Sequence, residues 1–532
     1  MEKLTESNKL KEQRKMNKTM RQHSVASRLK SLALAFGITL AFASCANEEI
    51  AQNPNGKDYD ANLTTFSTGD PTTRTSMESD GKFFWEAGDK IYVKDDNGTW
   101  NASSNSPAGK TAYFKFKVPG TYTAHMSYEV YYPGKNGNQN QVTIAANQSQ
   151  AEPNSTAHFG ASGDCGMATA TRIASERNFN FTLDHKAAYL LFLPRTANTI
   201  LHNCYLTKVE VNSDNDITST YTLDPTTGEL TGTGTGKQII VSTGGSGAYA
   251  NGFPLTNNAT SAATNGAYVV IKPGTHILKI RYWVKDVATG TEGTITKTLS
   301  SATYDQNKYY SITANLDVKN YDGDHYYMWD AQQNYWSGHE WNKANPWQPV
   351  LNGNSNSNYA QSNGDPRYYN EAFTYGADNK ATHTSCKDLP NVNEMTWYAA
   401  KGDPRWDADE LWTTMGHLYK GGMWFKKKSQ ISGYNPNRSV DGIDRRGNSS
   451  AGSWSVSQTL PSAADANNYF YLPALGGYYS GQLSDVGLMG CYWSSNANPR
   501  YSDKAFFLHL LSGSVIVDYG YRYFGYRVEA FQ

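Results

Sequence analysis

The chain has 532 residues, with 48 basic and 48 acidic side chains and charge at only 18% of positions. A balanced net charge sets up no broad field for nucleic acid or anionic lipid, so neither is expected as a general partner. Abundant Gly (46) and Tyr (37), set among many Asn, Ser and Thr, is the composition of an extracellular β-protein with long polar loops.

The first 20 residues are charged and patternless. Leu32–Ala43 is then an apolar run of twelve residues, preceded by Arg21, Arg28 and Lys30. It suits a signal-peptide core, since crossing roughly 30 Å of hydrocarbon takes about 20 helical residues. The run ends at Phe42-Ala43-Ser44-Cys45, which resembles a lipobox with Phe42 in place of the usual aliphatic residue. That resemblance implies removal of residues 1–44 and acylation of Cys45 with palmitate-class chains, whose buried CH2 groups at about 0.8 kcal/mol each hold a protein on a membrane. Asn47-Glu48-Glu49 resembles the acidic export tag of surface lipoproteins in the Bacteroides group. The expectation is an outer-membrane lipoprotein precursor exported to the cell surface, with residues 45–60 as a lipidated tether. An ordinary secretory signal with an incidental Cys is the alternative.

From 61 to 318 short strands alternate with turn clusters. Phe114–Val118 and Phe179–Leu183 alternate cleanly, and Ile277–Val284 and Tyr310–Leu316 close the region. A two-residue period buries one face per strand, which two packed sheets satisfy. Thr73-Arg74-Thr75-Ser76 followed by Phe84–Val93, then Phe179–Leu183 with His185, Ala187 and Ala188, then Asn307–Tyr310, resembles in order the fimbrillin-type (Mfa-like) proteins of Bacteroidales. The resemblance implies two tandem β-sandwich domains, 61–175 and 176–318. It also implies cleavage of the Arg74–Thr75 bond by an Arg-specific protease, departure of the first strand (Asn62–Thr68), and filling of the vacated groove by another subunit's strand, a case of β-strand addition. Gly69-Asp70-Pro71 places the bond in an exposed turn, where cutting is easy. The alternative is an uncut loop arginine and a strand that stays. His185, on an alternating strand, reads as a hydrogen-bonded core or edge residue.

Trp divides the chain: Trp85, Trp100 and Trp283 precede residue 320, and the other ten of the thirteen follow it. A boundary falls at Asn320–Asp324, where Tyr-Asp-Gly-Asp is turn chemistry. Beyond it, Asn391 with Glu394 three residues on is a capping box opening a helix that runs to Gly402. A second helix is predicted over Asp407–Leu418, with acidic residues at its positive end. Late hairpins, Ala505–Leu510 and Val515–Tyr519, complete an α+β pattern. Tyr471–Ala474, Gly476–Tyr479 and Gly490–Ser495, with Gly525–Val528, resemble a paralogous surface domain named for Fibrobacter succinogenes, although Glu529 stands where that family has Arg. The resemblance implies a C-type-lectin-like domain over 325–532. The whole chain is therefore expected to be mainly β, two sandwiches followed by an α+β lectin-like domain.

The candidate functions follow. Val528–Gln532 completes the last domain, so this subunit would accept a strand and offer none, the position of a fimbrial tip. Its partners would be other fimbrial subunits and, through the C-terminal domain, a host glycan or protein or another bacterium. Trp406, Trp424, Tyr478 and Tyr479 are candidate ligand-binding aromatics, with core packing as the bland reading. Asp403, Asp407, Asp409 and Glu410 raise Ca2+, against an acidic helix start. Of the five cysteines, Cys386 and Cys491 are candidates for a disulfide in an oxidising exterior, against two buried free thiols. Glu152-Pro153-Asn154 matches a sugar-binding lectin triplet by chance, in the wrong domain. No GxSxG, P-loop or zinc signature occurs, so no enzyme is expected. A monomeric cell-surface lipoprotein that binds glycan or host protein without polymerising is the first alternative, and a sulfatase-modifying-type enzyme the third reading.

Overall fold

The computed structural model describes residues 63–68, 76–77, 83–173, 177–224, 226–232, 234–450 and 452–532. The lipidation residue Cys45, the tether and the Arg74–Thr75 bond lie outside the described residues. The unit from Asn62 to Gln532 is mainly β, and its longest described helix is Val392–Lys401.

Alternation builds the first sheet. In Lys115–Pro119 the Phe116 and Val118 side chains are buried and Lys115 and Lys117 exposed. The strands lie in the order Trp100–Ala102, Tyr92–Lys94, Ser127–Tyr132, Gly166–Arg172, Asn178–Phe181, Leu63–Thr68 and Lys115–Pro119. Their inner side chains, Phe66, Phe116, Val130 and Phe179 among them, form one aromatic-rich core together with Trp85. The division expected at 175 and 176 does not follow the sheets. Asn178–Phe181 belongs to the first sheet, paired with both Leu63–Thr68 and Gly166–Arg172. Conversely, Gln141–Ile144 pairs with Ser219–Leu223, and Asn147–Gln150 with Gln238–Thr243. Alternation reveals a strand's two faces and not its partner, so the exchange of strands had no local signal.

The second region packs a sheet centred on Tyr205–Ser213, Leu278–Lys285 and Gln238–Thr243 against Ala188–Arg195, Ala267–Ile271 and Tyr309–Asn315. Leu190, Phe192 and Val269 meet Val209, Val241 and Ile280 in their common core. Leu411 and Leu418 of the C-terminal region enter the same cluster, so the two regions share apolar contacts.

In the C-terminal region the capping box forms as read: the Asn391 side chain accepts from the Glu394 amide, and Glu394 returns the bond to Asn391. The helix buries Val392, Met395, Tyr398 and Ala399 against Phe506, Leu508, Leu510, Val515 and Val517. The helix predicted over Asp407–Leu418 is instead a hairpin, Arg405–Thr414 paired with His417–Lys426. Its turn is Met415-Gly416, both at positive φ (48° and 83°), the two-residue geometry that matches strand twist. The acidic residues that mimic a helix start sit on a bulge between Asp407 and Leu411. Asp407 Oδ1 holds that bulge by accepting the Asp409 and Glu410 amides at 3.0 Å each.

Candidate functional site

The leading strand, Leu63–Thr68, occupies an interior position in its sheet. One edge pairs in parallel with Asn178–Phe181, from Thr65 opposite Asn178 to Thr68 opposite Phe181. The other runs antiparallel to Lys115–Pro119, from Leu63 opposite Pro119 to Ser67 opposite Lys115. Its inward Phe66 has no exposed surface and stacks on Phe179 (centroids 5.1 Å, 16°), with Tyr122 edge-on at 5.1 Å. On the outer face Thr65 Oγ1 accepts from Lys117 Nζ at 2.9 Å. Thr68 Oγ1 accepts the Phe114 amide at 3.0 Å. The strand is thus a six-residue plug with one aromatic anchor.

The slot around it is braced from outside. Ser104 donates its amide to the Lys117 carbonyl at 2.7 Å, on the far edge of Lys115–Pro119. The Asn105 side chain donates to the Lys115 carbonyl (2.9 Å) and accepts the Lys117 amide (2.7 Å). Lys115–Pro119 is therefore tied to the segment following Trp100–Ala102 as well as to the leading strand.

The C-terminal candidates divide by burial. Tyr478 is wholly buried, stacked on Tyr335 at 5.4 Å and donating to the Pro349 carbonyl at 2.6 Å. Trp406 is 6% exposed and belongs to the core beneath the helix. Neither offers a face to a ligand, which corrects the expectation for these two residues: each is drawn into a core by neighbours distant in sequence. Trp424 and Tyr479 are half-buried. Trp424 leans on Tyr471 at 5.0 Å and donates Nε1 to Asp407 Oδ2 at 3.1 Å. Tyr479 packs edge-on to Phe524 at 4.9 Å. Trp493 is fully buried, its Nε1 donating to the Tyr327 carbonyl, and His185 is buried against Asp164 Oδ1 at 2.8 Å.

The four acidic residues raised for Ca2+ do not converge. Asp403 takes up Arg405 at 2.9 Å and the Tyr469 hydroxyl at 2.5 Å. Asp407 is spent on its bulge and Trp424. Asp409 faces solvent with Lys420 at 3.7 Å. Among the described residues, ligand atoms gather within 4.8 Å only at Asp322, Asp324 and His325, all exposed, and there Asp322 is also paired with Arg527 at 3.1 Å.

Cys386 and Cys491 share an apolar cluster with Trp329, Trp493 and Tyr526, yet both are free thiols, which corrects the disulfide expectation. Cys386 Sγ instead accepts the Asp330 amide at 3.3 Å, and Cys491 Sγ lies 3.9 Å from the Tyr479 hydroxyl. Burial pushes each of these thiols up to about 12, so neither ionises near neutrality. We expect a thiol reagent to leave Cys165, Cys204, Cys386 and Cys491 unmodified in the native protein and to label all four in urea. Reductant should leave the melting temperature unchanged. A fall in that temperature on adding reductant, measured by calorimetry, would contradict this arrangement.

Sequence reasoning passed over two features. One is a junction in which Asp286, 3% exposed, accepts the Leu418 amide and His417 Nδ1. The other is a tyrosine-rich face around Lys504. The alternating Ser514–Tyr521 run was the available signal for the second.

No family model matches the sequence, and no curated protein matches it. Among solved structures, the chain is similar to a candidate cell adhesion protein of Bacteroides ovatus at 16% identity, covering 44% of this chain and 84% of that one, with a TM-score of 0.28. It is similar to the fimbrial anchor protein Mfa2 of Porphyromonas gingivalis at 11% identity, covering 44% and 82%, with a TM-score of 0.22. A fimbrial protein of Bacteroides ovatus is similar over 87% of this chain and 98% of its own length, at 9% identity and a TM-score of 0.23. Likeness at this level settles neither topology nor role, and the functional reading rests on the residues themselves.

Proposed function

We propose that this chain is a surface lipoprotein that becomes the tip subunit of a fimbria, assembled by strand exchange, with its C-terminal domain as the adhesive part. The observation that carries the reading is the leading strand. It is short, anchored by a single Phe66, interior to its sheet, and joined to the body through the segment that contains Arg74. A strand placed so can be replaced by a neighbour's backbone in the same register, which restores both ladders. At the other end, Phe531 packs edge-on to Tyr398 at 5.3 Å, and the Gln532 carbonyl accepts the Lys428 amide at 2.9 Å. These residues are committed to their own domain and are not on offer to another subunit.

N-terminal sequencing of the form on the bacterial surface tests the reading. A start at Thr75, in material that co-purifies with filaments, is the expected result, and Arg74→Ala should abolish both the processing and the incorporation. An acylated Cys45 on a protein that never joins a filament would support the second reading, a monomeric lipoprotein that binds glycan or host protein.

A further inference from the structure

Among the described residues of the C-terminal region, the exposed tyrosines are Tyr375, Tyr501 and Tyr521, at 39%, 36% and 37%. Tyr501 and Tyr521 meet at Lys504, and Tyr375 adjoins them through its bond to the Tyr501 carbonyl. Lys504 Nζ lies 5.1 Å from the Tyr501 ring, 5.3 Å from Tyr519 and 4.9 Å from Tyr521. Tyr521 stacks on Tyr523 at 5.0 Å, and the Arg500 guanidinium lies over Tyr501 at 5.6 Å.

The face is rigid from beneath. Buried Arg522 is held between Trp329 (4.6 Å) and Phe373 (4.7 Å) and donates to the Tyr375 hydroxyl at 3.2 Å. Tyr375 in turn donates to the Tyr501 carbonyl at 3.2 Å. Strand pairing of Lys504 with Tyr521 fixes the cation beside its ring. A platform braced from beneath in this way has less to order on binding, which lowers a common cost of recognition.

Two observations define the occupant. Lys504 and Arg500 touch rings and, among the described residues, form no ion pair with a carboxylate; two cations against the single rim carboxylate of Asp503 leave the face net positive and suited to an anion. Its apolar part is only a few tyrosine rings, rimmed by exposed Ser502 and Asp503. A stable protein interface takes about 800 Å² per partner around a buried apolar centre, and this face has no such centre. Tyrosine rings suit the C–H faces of a sugar ring, with hydroxyls beside them to bond its polar edge.

We propose that this face binds the acidic end of a glycan, its carboxylate or sulfate on Lys504 and its ring on Tyr521 or Tyr501. The proposal rests on the reading of the C-terminal domain as the ligand-binding part and does not depend on polymerisation. The test is calorimetric titration of the full-length protein with 3′-sialyllactose, a chondroitin sulfate tetrasaccharide, neutral lactose and hexaglutamate. One or both acidic sugars should bind at least about tenfold more tightly than lactose, and more weakly as salt rises; the two acidic arms separate carboxylate from sulfate. Lys504→Gln should cost about tenfold and Tyr521→Ala a similar factor, with melting unchanged, while Lys504→Arg should keep most of the affinity. Equal binding of lactose, preferred binding of hexaglutamate, or no binding of any sugar would overturn the proposal. Acidic-sugar binding that survives both Lys504→Gln and Tyr521→Ala would reject this face and still leave the C-terminal domain as the binder. Filament incorporation, read separately, decides the subunit role.

Discussion

A protein that starts at Thr75 is expected to melt at least about 10 °C below the full chain and to recover on addition of a peptide spanning residues 61–70. The size follows from what leaves. Phe66 is wholly enclosed by Phe179 and Tyr122, and removing a buried Phe side chain costs about 3–5 kcal/mol. The paired registers on both edges add backbone hydrogen bonds worth about 0.5–1.5 kcal/mol each. Each kcal/mol moves the melting temperature by about 4–8 °C in a unit of 60–100 residues and about 2–4 °C in one of 150–250. The slot should outlast the strand, because Ser104 and Asn105 hold Lys115–Pro119 from its far edge. Asn105→Ala should therefore weaken peptide uptake by the truncated protein more than it weakens the full chain. A peptide carrying Phe66→Asp should not bind, since it would bury a carboxylate among aromatic rings. If the truncated protein does not fold alone, trypsin cleavage of the folded chain followed by exchange with labelled peptide gives the same readout. Unchanged melting of the truncated protein, or no exchange, would remove the basis for strand donation.

Which parts were legible in the sequence depends on how local their cause is. Phe116 and Val118 alternate with lysines and are buried as read, because the period alone sets the face. The capping box at Asn391 and Glu394 is likewise a matter of neighbours, and it formed. The stretch after Asp407 misled because acidic residues before an apolar run serve a helix start and a bulge equally. The deciding feature was the positive φ of Met415 and Gly416, which only the paired strands explain. Trp406 and Tyr478 failed as ligand candidates for a different reason. Burial is set by partners elsewhere in the chain, such as the Pro349 carbonyl for Tyr478. The tyrosine face escaped notice because Tyr501, Tyr519 and Tyr521 meet only once Lys504 is paired opposite Tyr521.

Replacing Asp286 by Ala is expected to cost about 3 kcal/mol and to loosen the C-terminal region from the β-region before it. Asp286 Oδ2 accepts the Leu418 amide at 3.0 Å and His417 Nδ1 at 3.2 Å, while Oδ1 accepts the Ala288 amide at 2.8 Å. Alanine strands a buried amide and a ring N–H, each a penalty of about 1–3 kcal/mol. Thr289 Oγ1 to the Leu418 carbonyl (2.9 Å) and Asn198 to Thr413 (3.0 Å) remain, so the junction weakens without dissolving. Urea denaturation followed at tryptophan, concentrated beyond residue 320, should show a C-terminal transition separating from the rest. The effect carries a pH signature of definite sign. Burial pushes the Asp286 carboxyl up, but the bonds from His417, Leu418 and Ala288 outweigh it and leave it below its usual value. A depressed native value stabilises in full above the unfolded value near ~3.9 and is lost as pH falls through the native one. The gap between the wild-type protein and Asp286→Ala should accordingly shrink as pH falls below about 4. A gap that did not shrink below about pH 4, or a single unaltered transition, would mean that this carboxylate does not couple the two regions.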